Sequence, residues 1–243
     1  MRVESGEGLF GSIFSVPTRP AEATVVGVEF DRGAYHKGLY HTTGVDLPLD
    51  IERSVLKRQA EFLAGRHVAT TALQRYGTVE RRVGRCGSGP PIWPSLTLGS
   101  ISHSSALAFA GVSSVAKMDF LGLDVETLMV DGFELRSTFS TAAEWNVVSR
   151  SRVGPSLAAT ALFSAKESVF KALYPKVGDY FGFDAATLIS WSRSNRRLVF
   201  QLNSERLVAV AGTTIVCSYR QVRSDAVLTV AARTTSGRPL DLV

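Results

Sequence analysis

Hydrophobic and polar positions follow two different periods along this chain, and each period predicts a different kind of element. Alternation with a period of two, together with many β-branched residues, predicts strands. The predicted strands cover residues 23–30, 98–102, 107–112, 120–126, 188–191, 198–202, 207–211, 214–219 and 227–231. A period near 3.6 predicts a long helix from Asp50 to about Gly77 and a second from Pro155 to about Tyr174.

A third, shorter helix is predicted from a local signal. Thr141-Ala-Ala-Glu144 has the form of a capping box, which predicts a helix that runs through Val148. Loops are predicted at residues 31–48 and 78–96. The second prediction rests on the prolines and glycines near the end of that segment. The order of strands and helices then predicts an α+β fold in two α+β halves, residues 1–115 and 116–243.

The composition indicates more about the cellular location of the protein than about the reaction it catalyses or the ligand it binds. The 243 residues are 45% hydrophobic and carry a formal net charge of +5, which favours anionic partners without choosing among them. Cys86 and Cys217 are far apart and lack a metal-ligand spacing, which fits a reducing compartment. The sequence shows neither a leader-type apolar segment nor a membrane-spanning run. We expect a cytoplasmic protein with no membrane partner.

Two carboxylates stand at alternate positions near the end of a predicted strand. Asp124 and Glu126 share one face of the strand, about 7 Å apart along it. Mg²⁺ usually takes one or two such carboxylates and leaves its other positions to water and substrate phosphates. The alternative is an edge strand whose solvent-facing side carries acids.

The helix after Pro155 carries a second group of charged residues. Phe163, Glu167 and Lys171 recur every four residues and therefore lie on one face. An ordinary surface ion pair between Glu167 and Lys171 would explain the spacing equally well. The apolar residues around these charges favour a site that opens beside the helix.

Three further residues have side chains suited to phosphate. His103 comes just past a predicted strand in a run of hydroxyl residues, and an imidazole there is able to donate to a phosphate. Arg58 and Arg66, eight residues apart, lie within a quarter turn of each other on the first long helix. A structural histidine and a routine pair of surface arginines are the alternatives.

The order and spacing of these groups resemble one family, the 4′-phosphopantetheinyl transferase superfamily, and within it the enterobactin-synthase-component type. The matching motifs are Gly122-x-Asp124-x-Glu126, Phe163-Ser164-x-Lys166-Glu167-Ser168-x-x-Lys171, Arg58-x₇-Arg66, Trp93-Pro94, Gly99-Ser100-x-Ser102-His103 and Gly182-Phe183-Asp184. Each motif alone is weak, and their order across residues 50–190 carries the resemblance.

The resemblance implies a fold of two similar halves, with coenzyme A in the cleft between them and transfer of its phosphopantetheine arm to a serine of an apo carrier protein. It implies that Asp124, Val125, Glu126 and Glu167 bind Mg²⁺, and that Glu167, Lys171 and Asp124 are catalytic. It implies coenzyme A contacts from Arg58, Arg66, Ser88, Gly89, Pro90, Pro91, Ser102, His103, Asp124, Lys166, Glu167, Lys171 and Phe181. The partner is an acyl or peptidyl carrier protein of siderophore, polyketide or nonribosomal peptide biosynthesis, and the enzyme is expected to be a monomer.

Two positions depart from the family pattern. Relatives often have a lysine where this chain has Ser88, so Arg82 or Arg85 is expected to replace that phosphate contact. Ser104 stands where a cysteine is usual, which is a change between small residues. Competing hypotheses are a carboxylate–Mg²⁺ phosphohydrolase of another family, a nucleic-acid binder that uses the cluster of Arg81, Arg82 and Arg85, and a catalytically silent relative. The nucleic-acid hypothesis lacks an accompanying recognition motif.

Overall fold

A computed structural model describes residues 8–85, 87, 89–131 and 134–243. The main strands are β1 (Phe10–Val16), β2 (Thr24–Phe30), β3 (Thr97–Ser104), β4 (Leu107–Ser114), β5 (Met118–Thr127), β6 (Ala186–Ser192), β7 (Arg197–Leu202), β8 (Thr214–Arg223) and β9 (Ala226–Thr234). The helices are α1 (Leu39–Thr43), α2 (Leu49–Glu52), α3 (Leu56–Tyr76), α4 (Ala142–Arg150), α5 (Pro155–Val177) and α6 (Glu205–Ala211). Helices and sheets are thus mixed along the chain, and the predicted α+β class is confirmed.

The first sheet carries the long helix α3 on one face. Its four strands are antiparallel in the order β1-β2-β4-β3. Small and apolar residues of α3, such as Leu63, Ala64 and Val68, are fully buried against Val26 and Val28 of β2. This packing orients α3 so that its first turns reach the edge strand β3.

The second sheet carries α5 in the same way. Its five antiparallel strands run in the order β5-β9-β8-β7-β6. The buried face of α5 bonds to the sheet as well as packing on it, because Ser164 and Ser168 both lie within hydrogen-bond distance of the Thr229 hydroxyl, at 2.9 and 2.7 Å. These two motif serines therefore hold the helix on β9.

The two sheets meet where β3 runs beside β5, and hydroxyl groups bridge them. Ser100 Oγ accepts from the Leu123 backbone nitrogen at 3.0 Å, and Ser104 Oγ accepts from the Thr127 nitrogen at 3.0 Å. Between them, Ser102 Oγ donates to Asp124 Oδ1 at 2.7 Å. We call these three serines of β3 the serine seam. The predicted division at residue 115 remains a prediction.

Several boundaries differ from the sequence prediction. The long helix does not begin at Asp50, because the extended backbone of Val55 separates α2 from α3. The helix α5 continues past Tyr174 and ends only at Gly178, which has the left-handed backbone conformation of a helix end. Pro175 lies in the last turn, where its missing N–H removes the helical hydrogen bond to the Lys171 carbonyl.

The prediction of a strand at 207–211 was wrong, since those residues belong to α6. Leu207 and Ala211 are both buried and lie one helical turn apart, a spacing that the short apolar run does not distinguish from a strand. The predicted loops also contain structure, namely α1 and the two-residue ladder of Gly84–Arg85 with Pro91–Ile92. His103 lies within β3 rather than past its end. The capping box of Thr141 and Glu144 is confirmed.

Candidate active site

The strand β5 and the helix α5 approach so closely at Gly122 that only glycine fits. A Cβ atom there would lie 2.1 Å from the carbonyl oxygen of Ser168 and 2.3 Å from the backbone nitrogen of Ala172. This contact between backbones brings the acidic end of β5 alongside the charged face of α5. The first motif glycine is therefore explained by packing.

Beside this contact, Lys171 reaches across from α5 to the seam. Its Nζ atom donates to Asp124 Oδ1 at 2.6 Å and to Ser102 Oγ at 3.0 Å. An ammonium group has three N–H donors, so a third remains for another acceptor. The Lys171 side chain is 28% exposed and lines a cleft, whereas that of Asp124 is only 4% exposed. The surface ion pair predicted as an alternative is thus replaced by a partly buried pair with Asp124.

Two further carboxylates, those of Glu126 and Glu167, lie near this pair, and the three acids repel one another. Burial raises the pKa of Glu126 to about 7, and the negative charges of Asp124 and Glu167 contribute to the increase. Burial also raises the pKa of Glu167, and again Asp124 contributes. A site that keeps buried carboxylates together in this way favours either protons or a cation.

One orphaned atom indicates that a cation fits. Asp124 Oδ2 is buried and has no hydrogen-bond partner among the described residues. Hard carboxylate oxygens are the ligands that Mg²⁺ prefers. Among the described residues, no three His, Cys, Asp or Glu side chains are placed so that they could hold a metal ion together. The fit to a magnesium ion therefore rests on the chemistry of these carboxylates and on the orphaned Asp124 oxygen, not on a preformed cage.

A small basic pocket lies next to the seam, at the start of α3. Its volume is about 160 Å³, and Arg58, Arg66, Arg85 and His103 contribute to its lining together with Glu61, Gly89 and Pro91. Arg66 is 8% exposed, and its Nη1 atom is buried without a partner among the described residues. Burial lowers the pKa of Arg66 to about 10, and the neighbouring Arg85 and Arg58 contribute. Such a pocket is suited to an anion.

His103 is engaged on both sides of its ring. Its Nε2 atom lies 3.0 Å from Arg58 Nη1, and its Nδ1 atom lies 3.7 Å from Glu61 Oε2. Burial is the main cause that lowers the pKa of His103. The charge of Glu61 acts to raise this pKa, and the charge of Arg58 acts to lower it. In this arrangement the imidazole contacts Arg58 rather than presenting a free N–H to a phosphate.

A larger cleft of about 730 Å³ extends from Lys171 along the seam. Strands β3 and β5 and the end of α5 form its walls, and Pro90 and Pro91 lie at its margin. Most of its lining is apolar, with Trp93, Phe120 and Tyr174 among the larger side chains. The cleft suits an extended ligand whose charged end reaches Lys171.

The other predicted site residues fall in different places. Lys166 is not brought to the cluster, because its Nζ lies 2.8 Å from Glu144 Oε1 and donates to the Phe183 carbonyl at 3.0 Å in the protein interior. Phe181 packs on Phe170 with 5.0 Å between ring centroids and, with Glu167, lines a small cavity. Val125 is fully buried opposite Leu228 in the ladder of β5 and β9. Ser88 lies outside the described residues.

The basic cluster in the loop before Trp93 is divided by ion pairs. Arg82 pairs with Asp46, and Arg85 donates to Asp50 at 2.7 Å. The Arg82 side chain is 73% exposed and that of Arg85 only 13% exposed. Of these two arginines, Arg85 alone lines the basic pocket.

Sequence reasoning gave three contributors, Ser100, Ser104 and Glu61, no role in the site. Ser100 and Ser104 flank Ser102 at a period of two, and that alternation was the available signal for a hydroxyl face on β3. Glu61 follows Arg58 by three residues on α3, a spacing that places both on one side of a helix. Its charge alone gave no reason to separate it from the surface acids.

Comparison with known proteins agrees with this geometry. A family model described as the 4′-phosphopantetheinyl transferase N-terminal domain matches residues 48–113, and one described as the 4′-phosphopantetheinyl transferase superfamily matches residues 120–231. The two matched segments together cover more than half of the chain. The first contains α3 with its two arginines, and the second contains Asp124, Glu126 and Glu167. The chain belongs to the 4′-phosphopantetheinyl transferase superfamily.

Individual relatives match somewhat more than half of the chain. Enterobactin synthase component D of Escherichia coli O157:H7 is 38% identical over 140 residues, which cover 56% of this chain and 64% of the relative. The 4′-phosphopantetheinyl transferase Svp of Streptomyces mobaraensis is 35% identical over 140 residues, 57% of each chain. The transferase Npt of Nocardia iowensis is 30% identical over 138 residues, 56% of this chain and 61% of the relative. The matches thus span less than two thirds of each relative.

The described residues contain no helix that is long and apolar enough to cross a membrane.

Proposed function

We propose that this protein is a 4′-phosphopantetheinyl transferase that moves the phosphopantetheine arm of coenzyme A to a serine of an apo acyl or peptidyl carrier protein. The observation that carries the proposal is the cluster of Lys171, Asp124 and Ser102, with Glu126 and Glu167 beside it. This cluster lies between the basic pocket and the larger apolar cleft. Family membership supports the same reaction. A net charge of +5 suits an acidic carrier partner.

Binding of coenzyme A is assigned to the two adjoining cavities. Arg58, Arg66 and Arg85 hold the 3′-phosphate or the pyrophosphate in the basic pocket, with Gly89, Pro90 and Pro91 along the nucleotide. Arg85 takes the place of the lysine that relatives often have at position 88. The third N–H of Lys171 contacts the pyrophosphate where the cleft begins. A predominantly apolar cleft beyond it accommodates the pantetheine arm.

The transfer itself is a displacement at phosphorus. The carrier serine Oγ forms a bond to the β-phosphorus of coenzyme A, and the bond from that phosphorus to the bridging oxygen breaks. The pair of electrons leaves with 3′,5′-ADP, and the serine proton passes to a base. Both the phosphoryl oxygens and the leaving group gain negative charge that has to be stabilised.

The residues of the cluster divide these tasks. Glu167 accepts the serine proton as the general base. Lys171 stabilises charge on the pyrophosphate, while Ser102 and Asp124 hold the ammonium in place. Asp124, Glu126 and Glu167 would hold Mg²⁺, with the Val125 carbonyl as a further ligand. When bound, the ion supplies electrostatic stabilisation of the phosphoryl oxygens.

Transfer is tested by incubating the protein with coenzyme A, Mg²⁺ and several apo carrier proteins, followed by intact mass measurement of each carrier. We expect a gain of one phosphopantetheine on at least one carrier, and none after chelation of the metal. No gain on any carrier would refute the proposal. Without a carrier, release of 3′,5′-ADP would instead favour the phosphohydrolase hypothesis.

The site assignment is tested with matched carboxylate variants. Asp124→Asn and Glu167→Gln should abolish transfer while the thermal midpoint changes little. Glu205→Gln is the control, since Glu205 is exposed on α6, away from the cluster. Transfer at the wild-type rate in either site variant would remove that residue from the mechanism. The carrier pathway, the monomeric state and the cytoplasmic location remain predictions.

A further inference from the structure

Glu61 is a buried acid that has no assigned role in the proposed reaction. It lies on α3, is 8% exposed, and lies beside His103 of β3. Its Oε1 atom lies 3.1 Å from Arg32 Nη2, and its Oε2 atom lies 3.7 Å from His103 Nδ1. A carboxylate so far from water needs such partners to remain charged.

Arg32 reaches Glu61 from a separate part of the first sheet. It follows β2 in a short 3₁₀ turn of residues 32–34, where Asp31 caps the turn by accepting from the Gly33 nitrogen at 2.8 Å. The Arg32 side chain is 33% exposed, so it stays partly hydrated. Arg32 therefore balances the charge of Glu61 and leaves one carboxylate oxygen for His103.

The contact with Arg58 indicates which nitrogen of His103 carries the proton. A guanidinium group only donates, so the Nε2 atom of His103, 3.0 Å from Arg58 Nη1, must be the acceptor. The proton of a neutral imidazole then resides on Nδ1, the atom that faces Glu61. Both neighbours thus favour the same tautomer, and a carboxylate behind an imidazole is a common way to select one.

We propose that Glu61 is a positioning residue that holds the His103 proton on Nδ1, so that Nε2 receives Arg58 and orients its guanidinium in the basic pocket. The resulting chain runs from Arg32 through Glu61 and His103 to Arg58. The part that concerns coenzyme A rests on the proposed function, because it takes Arg58 as a phosphate contact. Glu61 also lines the basic pocket, and the proposal assigns it no direct contact with substrate.

The tautomer is measured directly by nitrogen NMR of protein labelled in its histidine rings. The chain has four histidines, and His103→Gln identifies the signals of His103 by their loss. We expect a protonated Nδ1 and an unprotonated Nε2 in the wild type at neutral pH. Glu61→Ala should give a mixture of tautomers, and Glu61→Gln should keep the wild-type form because its amide oxygen still offers a partial negative charge to Nδ1–H. A proton on Nε2 in the wild type would overturn the proposal.

Binding provides the second measurement. Calorimetry with 3′,5′-ADP should show about tenfold weaker binding for Glu61→Ala, as expected for one misoriented charged hydrogen bond. In transfer assays the KM for coenzyme A should rise by the same factor, with kcat changed by less than about twofold. Glu52→Gln is the matched control, because Glu52 pairs with Lys37 on the surface of α2. Wild-type affinity together with an unchanged tautomer in Glu61→Ala would refute the positioning role.

The two proposals fail in different ways. If the wild type binds no 3′,5′-ADP and transfers nothing, the proposed function fails, and the tautomer comparison still decides the role of Glu61. If Glu61→Ala does not fold, the wild-type tautomer and the Glu61→Gln variant decide it. A purely structural Glu61 would lower the thermal midpoint on substitution without altering the His103 signals.

Discussion

Substitution of Gly122 by alanine tests how strictly the backbone contact between β5 and α5 sets the site. The added Cβ would lie 2.1 Å from the Ser168 oxygen and 2.3 Å from the Ala172 nitrogen, whereas ordinary contacts begin at 3.4 Å. Both atoms belong to the backbone of α5, so no side-chain rotation relieves the clash. The helix must move away by more than one ångström. Overpacking of this kind costs about 3 kcal/mol, which lowers the thermal midpoint by roughly 6–12 °C.

The same movement should damage catalysis more than stability. Lys171 Nζ and Asp124 Oδ1 are 2.6 Å apart across the contact, and a shift of α5 separates them. Ångström-scale misplacement of a reacting group costs about a hundredfold in rate. We therefore expect the Gly122→Ala protein to retain its fold, with transfer reduced by about that factor.

Thermal unfolding and the carrier mass assay measure the two effects on the same sample. Gly154→Ala is the control, since Gly154 precedes the same helix, has an ordinary backbone conformation, and leaves the space around an added Cβ open. If Gly122→Ala matched the wild type in both midpoint and transfer rate, the close-contact argument would be refuted.

Three further predictions concern stability. Lys166→Met leaves the Glu144 carboxylate buried without its cation. Urea unfolding should show that the free energy of unfolding falls by about 3–5 kcal/mol, and the added change Glu144→Gln should partly restore it. An unchanged free energy of unfolding would contradict the buried pair. Burial lowers the pKa of His67 to about 4 from an ordinary 6.5, so the unfolded chain takes up the proton first as pH falls. The free energy of unfolding should decrease by up to roughly 3 kcal/mol between these pH values, and His67→Phe should remove that decrease in unfolding curves. Thr141→Ala deletes the capping box and should cost about 1 kcal/mol by urea unfolding, against no change for a substitution at exposed Ser149.

Sequence alone predicted those parts of the fold that rest on local patterns. The helices around Arg66 and Glu167 follow from periodicity, and the helix after Thr141 follows from a capping signal. The apolar run at 207–211 failed because five residues fit either period, and only packing on the second sheet decides between them. Local sequence holds no information about that packing.

The site shows the same division. Asp124, Glu167 and Lys171 were identified from motif order, and the structure places Lys171 against Asp124. Lys166 stands in the same motif, yet its side chain turns inward and pairs with Glu144. The motif does not predict this contact, because Glu144 is 22 residues away in sequence. Glu61 was missed since its role depends on Arg32, which arrives from another element. Sequence patterns do not determine which residues pair across different helices and strands.

The serine seam also affects how this enzyme is able to change. Backbone pairing between two strands tolerates most side chains, whereas the seam joins the two sheets through hydroxyls at Ser100, Ser102 and Ser104. One of these hydroxyls also holds Asp124 and Lys171. A substitution that loosens the junction at Ser102 therefore acts on the chemistry as well. We therefore expect substitutions along the apolar cleft to be tolerated better than substitutions at the boundary between the sheets.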